Sequence, residues 1–138
     1  MIQYMPHISR NRLDKQAETH LTNTLDLVLT NLTKREEMKG FLLSFLTPTE
    51  RLMLAKRLAI FILIREGLSE SDIAQTLHVT RVTVSRMQLF LEARGQGYEF
   101  AMKVLDNEKT IVQTKEILLK LAGYAVRAAG GRVKPGIF

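Results

Sequence analysis

Apolar residues recur along this chain at helical spacing, and no stretch alternates as a strand would. Residues 1–9, with Pro6 and little pattern, read as an arm. From about Arg10, the positions Leu13, Ala17, Leu21, Thr24, Val28 and Leu32 fall on one helical face. Leu25, Leu27 and Leu29 add apolar groups outside that stripe. A helix greasy on more than one face needs two partners, and in a chain of 138 residues the second can be another subunit. A second helix is expected from Lys34 to about Leu46, opening on charges and closing on Phe41-Leu-Leu-Ser-Phe-Leu46. Thr47-Pro-Thr-Glu50 then has the form of a helix start. Thr47 and Glu50 can satisfy each other's amides, and Pro48 fits the first turn, where no amide is needed. The helix that follows should run to Glu66 and stop at Gly67, which tolerates a left-handed cap. Its apolar residues extend nearly all round, as expected of a central helix.

Ser69-x-x-Asp72 opens a short helix ending near Leu77. His78-Val79 makes a tight turn, and Thr80 caps a further helix to roughly Ala93. Gly95 and Gly97 are expected to break it, with helix again over Tyr98–Leu105 and from about Glu108 to Ala129. The end, from Gly130 to Phe138, reads as a basic tail. The expected fold is all-α. It divides into the arm, a helical domain over 10–106, and a C-terminal helix and tail over 107–138.

Residues 70–91 satisfy the packing demands of a helix-turn-helix, in which two short helices cross at a wide angle around a small core of their own. Ile73 and Leu77 share one face of the first helix, Val79 plugs the turn, and Val84 and Met87 come from the second helix. Ala74 stands where the helices approach most closely. The turn position, often glycine, is His78, which accepts left-handed backbone better than most residues.

Between its packing positions the second helix presents Thr80, Arg81, Val82, Thr83, Ser85 and Arg86, with no acid from Thr80 to Phe90. Arginine grips guanine edges in a bidentate fashion, valine touches a thymine methyl, and hydroxyls reach phosphates or bases. The helix amino end also offers free amides to a phosphate. Arg51, Lys56, Arg57, Arg65 and Arg94 flank the motif and can neutralise backbone charge. The pattern points to double-stranded DNA as partner.

Composition narrows the field without choosing within it. Lys and Arg outnumber Asp and Glu by 20 to 14, for a formal charge of +6, which favours a polyanionic partner. No cysteine is present, which removes disulfides and thiolate chemistry and suits a reducing cytoplasm. The start of the chain lacks the apolar segment of a secretory signal. The greasiest run, Leu58 to Ile64, falls far short of the ~20 residues that cross a bilayer. His7, His20 and His78 lack metal-ligand spacing, Glu36-Glu37 reads as a solvated first turn, and no nucleophile motif surrounds any serine. Gly95-x-Gly97 lacks the rest of a dinucleotide fingerprint. Neither an enzyme nor a cofactor is expected.

The residues Leu46-Thr-Pro-Thr-Glu-Arg51, Arg57-Leu58, Gly67-Leu-Ser69, Leu77 and Val82-Thr-Val-Ser-Arg86 resemble the tryptophan repressor family. The likeness covers about residues 10–106 and is nearest to its YerC/YecD-type members, in which a turn such as Gly97-Tyr98 follows the reading helix. The resemblance implies an intertwined all-helical homodimer with one reading head per subunit, which would account for the over-greasy first helix. It also implies a possible effector pocket, since the family's repressor holds tryptophan with a threonine before the proline and two arginines. The matching positions are Thr47, Arg57 and Arg86. The residue after the second arginine, a glycine in the tryptophan-binding member, is here Met87. A long side chain at that position would occupy the indole site, so tryptophan control is not expected. Ordinary roles, a cap for Thr47 and a carboxylate partner for Arg57, are the stronger expectation.

The combined expectation is a homodimeric DNA-binding transcriptional regulator, a repressor before an activator, with no membrane partner and no effector assigned. Two alternatives stay open at this point. One is a sigma-factor-region or response-regulator output domain, which shares the LTP-x-ER start, though the helix after it is about two turns longer here than such domains would have. The other is a protein- or RNA-interaction adaptor built on the same scaffold. In the last helix Ile111, Lys115, Leu118, Leu119, Ala122 and Val126 suggest an apolar stripe. Packing on its own domain or on a twin subunit is the stronger reading of that helix. A basic arm carrying Lys109, Lys115, Lys120 and Arg127 toward DNA or a membrane surface is the other.

Overall fold

The computed structural model describes residues 11–107 and 109–128, and these form helices without a strand. In chain order they are α1 (Lys15–Asn31), α2 (Arg35–Phe45), α3 (Pro48–Arg65), α4 (Glu70–Leu77), α5 (Arg81–Arg94), α6 (Gln96–Asp106) and α7 (Lys109–Ala128). The expected arm of 1–9 and the tail from Gly130 lie outside the described residues, as do the side chains of Lys109, Val126 and Arg127. The chain divides into two compact units, Met1–Leu52 and Met53–Phe138, with the boundary inside α3.

In the first unit α1 begins later than its apolar periodicity predicts. Asp14 caps it by accepting the amide of Gln16 at 3.2 Å, so the helix starts at Lys15 and not near Arg10. Its threonines return their hydroxyls to the backbone one turn back, as Thr24 does to the carbonyl of His20 at 2.8 Å. Neither α1 nor α2 buries a residue. Leu21 and Leu27 are 56% and 62% exposed, and on α2 the rings of Phe41 and Phe45 stack with centroids 4.9 Å apart. The start of α3 is a reciprocal capping box. The Thr47 amide donates to Glu50 Oε2 at 2.8 Å, and the Glu50 amide donates to Thr47 Oγ1 at 3.2 Å.

The second unit holds the core. Four consecutive residues of α3, Ile60 to Leu63, are buried, so this half of the helix is enclosed on all sides. Ile73 and Leu77 of α4, Val84 and Met87 of α5, Met102 of α6 and Ile111 and Leu118 of α7 join the same cluster. Farther toward the start of α3, Met53 and Leu54 are exposed, so the central character belongs to its C-terminal half. The helix ends in a Schellman motif: the amide of Leu68 donates to the carbonyl of Leu63 and that of Gly67 to Ile64, with Gly67 at φ 86°. Gly95 alone separates α5 from α6. A Cβ there would collide with the Leu91 carbonyl oxygen, whereas Gly97 sits inside α6 with free space around it.

Helix α7 packs chiefly on α4 and also meets α6. Ile111, Leu118 and Ala122 are buried along it, and Lys115 pairs with Glu66 at 3.2 Å. The last helix therefore braces the first helix of the helix-turn-helix, as the domain-packing expectation required, and Lys115 is committed to an acid of the same unit.

Candidate nucleic-acid interface

Local chemistry fixes each part of the α4–turn–α5 unit. The hydroxyl of Ser69 accepts the Asp72 amide at 3.2 Å and starts α4. Thr76, a buried polar residue within α4, closes its own hydrogen bond onto the Asp72 carbonyl at 2.6 Å. His78 ends the helix in the left-handed region, at φ 53° and ψ 51°. The amide of Val79 returns to the carbonyl of Ala74 at 3.1 Å, which tightens the turn. Thr80 then caps α5: its Oγ1 accepts the Thr83 amide at 3.1 Å and lies 2.9 Å from the Thr83 hydroxyl.

The six packing positions converge on one core. Ile73, Ala74, Leu77, Val84 and Met87 are buried, and Val79 packs against them half-buried. The opposite side of α5 is open: Thr80, Arg81, Val82, Thr83 and Arg86 are exposed. Leu89, three residues beyond Arg86, continues that face. Ser85 differs from the rest of the group. It is half-buried, and its hydroxyl donates to Glu70 Oε2 on α4 at 2.7 Å. The acid-free run from Thr80 to Phe90 is thus not an acid-free surface, because the fold brings Glu70 from α4 onto the same region.

A cavity of about 930 Å³ lies between α3 and α5, with Arg57 and Arg86 in its walls beside Lys56, Ile60, Met87 and Phe90. Met87 is buried in the wall, and the cavity remains beside it. Tyr98 also lines this space: its ring tilts against Phe61 with centroids 4.8 Å apart, and its hydroxyl reaches Met87 Sδ at 4.0 Å. Burial raises the Tyr98 phenol above its ordinary value of 10.0, and the nearby Arg57 guanidinium partly offsets that rise. Thr47, the remaining residue of the expected effector group, belongs to the first unit, where it caps α3. Of the flanking cations, Lys56 and Arg57 stand on the cavity wall, Arg94 ends α5, and the Arg65 guanidinium lies 5.8 Å above the ring of Phe61.

Sequence reasoning did not single out Glu70, Tyr98 or Phe90. Glu70 and Ser85 are fifteen positions apart, with nothing in the local pattern to link them. In the sequence the Gly97-Tyr98 pair reads only as a turn, and its aromatic ring is the available signal. Among the described residues no group of His, Asp and Glu is placed to hold a metal ion, and no helix is long and apolar enough to cross a membrane.

No curated protein and no solved structure matches the chain. The family model described as Trp repressor protein matches residues 19–106, which takes in most of α1 and runs through α6. That family comprises helix-turn-helix DNA-binding regulators, and with the match spanning well over half of its residues, the chain belongs to it.

Proposed function

We propose that this chain is a homodimeric transcriptional regulator, acting as a repressor in the cytoplasm, which recognises a specific double-stranded DNA site with α5. The observation that carries the reading is the two-sidedness of α5. One side is anchored by Val84 and Met87, while Thr80, Arg81, Val82, Thr83 and Arg86 stand exposed on the other. In this reading Arg81 and Arg86 grip guanine edges or phosphates, Val82 meets a thymine methyl, and Thr80 and Thr83 bond the backbone at the helix start. Ser85 takes part from its position against Glu70. The recognition domain spans 10–106, with α7 added as a brace on α4.

The leucines left exposed on α1 support dimerisation, because a helix with apolar groups on several faces is stabilised by a second copy. Two reading helices would then lie about one DNA turn apart, ~34 Å, on a near-palindromic site. Met87 at the position next to Arg86 favours a regulator that tryptophan does not control. No other effector is assigned to the cavity.

Selection of bound sequences from a random duplex pool tests this reading. It should enrich a near-palindrome whose half-sites are separated by about one helical turn. A chain that enriches no duplex sequence contradicts it.

A further inference from the structure

Glu70 and Ser85 form a hydrogen bond whose direction has a consequence for base recognition. Ser85 lies one turn along from Arg81 and Val82 and one turn before Leu89, all three exposed. It therefore stands on the flank of the face assigned above to the major groove, half-buried between that face and α4. A serine hydroxyl has one proton to give and two lone pairs to offer. Here the proton points to Glu70 Oε2 at 2.7 Å. An ionised carboxylate only accepts, so it holds the hydroxyl in that direction. What remains for a ligand is the acceptor side of the oxygen.

We propose that Glu70 is a specificity-determining residue: by accepting the Ser85 hydrogen bond it leaves Ser85 only its acceptor side, so that one position of each half-site prefers a base that presents an amino group in the major groove. In the major groove adenine N6 and cytosine N4 present such donors, whereas guanine O6 and N7 and thymine O4 only accept. An unconstrained serine could serve either class. Serine held by Glu70 serves the amino bases and leaves an acceptor facing an acceptor on the others. The inference rests on the DNA-binding reading and extends it to a residue of α4 that lies outside the exposed face of α5.

The test is pool selection repeated with the full chain, the Glu70→Ala variant and the Ser85→Ala variant. The wild type should show one half-site position enriched in adenine or cytosine by about three- to tenfold, the discrimination one hydrogen bond supports. Both variants should lose that enrichment at the same position while keeping the rest of the motif. Affinity for an unrelated duplex should hold or rise in Glu70→Ala, because a negative charge beside phosphates has been removed. A residue that only braced α4 against α5 would, when replaced, weaken all duplexes alike and leave the base preference in place. That result overturns the inference, as does a motif unchanged in both variants, and each leaves the DNA reading standing. Failure of the wild type to enrich any duplex would instead overturn the reading itself, and the inference with it.

Discussion

The two units of this chain treat their apolar residues in opposite ways. In the second unit, Leu63, Ile73 and Val84 are fully enclosed, and helices α3 to α7 share one core around them. In the first unit, α1 and α2 bury nothing, and Leu21, Leu27 and Leu43 stand in solvent. Both units have sound local structure, since capping side chains start α1 at Asp14 and α3 at Thr47 in the first, and α4 at Ser69 and α5 at Thr80 in the second. Good caps and helical periodicity therefore do not make a self-sufficient unit. The apolar surface has to meet something, and tertiary packing supplies most of the stability of a short helix. In the second unit the chain provides that surface for itself. In the first, under the dimeric reading proposed above, a second copy provides it.

The largest expected effect sharpens the enclosed side of this contrast. Leu63→Ala should destabilise the protein by about 3–4 kcal/mol, the range of a buried leucine replaced where its neighbours cannot close in. The midpoint of chemical unfolding measures it. A loss below ~1 kcal/mol would mean that the site is not packed as described. The exposed side is tested by Leu21→Glu combined with Leu27→Glu. Light scattering should report a dimer for the wild type and a single-chain mass for the double variant. A wild type that is a stable single chain at all concentrations contradicts the assignment. The smallest expected effect concerns the cavity of the second unit. Calorimetric titration with tryptophan should give no saturable heat, and micromolar binding would show that Met87 does not bar the ligand.

How much of this was legible in the sequence depends on how far apart the interacting residues lie. Features set within one turn could be read directly: the Thr47–Glu50 box, the Ser69 and Thr80 caps, the Gly67 stop and the left-handed His78. The six packing positions were legible as well, because the motif encloses them within fifteen residues. Boundaries were less secure. The apolar stripe of α1 continues upstream of Asp14, so periodicity alone predicts too early a start, and Gly97 reads as a breaker although it has the space of an ordinary helical position. Contacts between distant segments were not legible. The Ser85–Glu70 bond, the Tyr98 ring against Phe61 and the seat of α7 on α4 arise only when the helices come together. Of the residues named for the groove, Ser85 is the one whose surroundings the linear pattern misrepresented.

DNA recognition by this chain requires the exposed arginines of α5 to meet the duplex, and the most direct measurement is duplex affinity with and without them. The wild type, titrated against its selected duplex, should bind tightly, with log affinity falling linearly as log salt rises. Arg81→Ala combined with Arg86→Ala should abolish specific binding while its helical content and unfolding midpoint stay at wild-type levels. A folded double variant that binds the same duplex as well as the wild type would contradict the account. It would assign the helix-turn-helix to a protein or RNA partner instead.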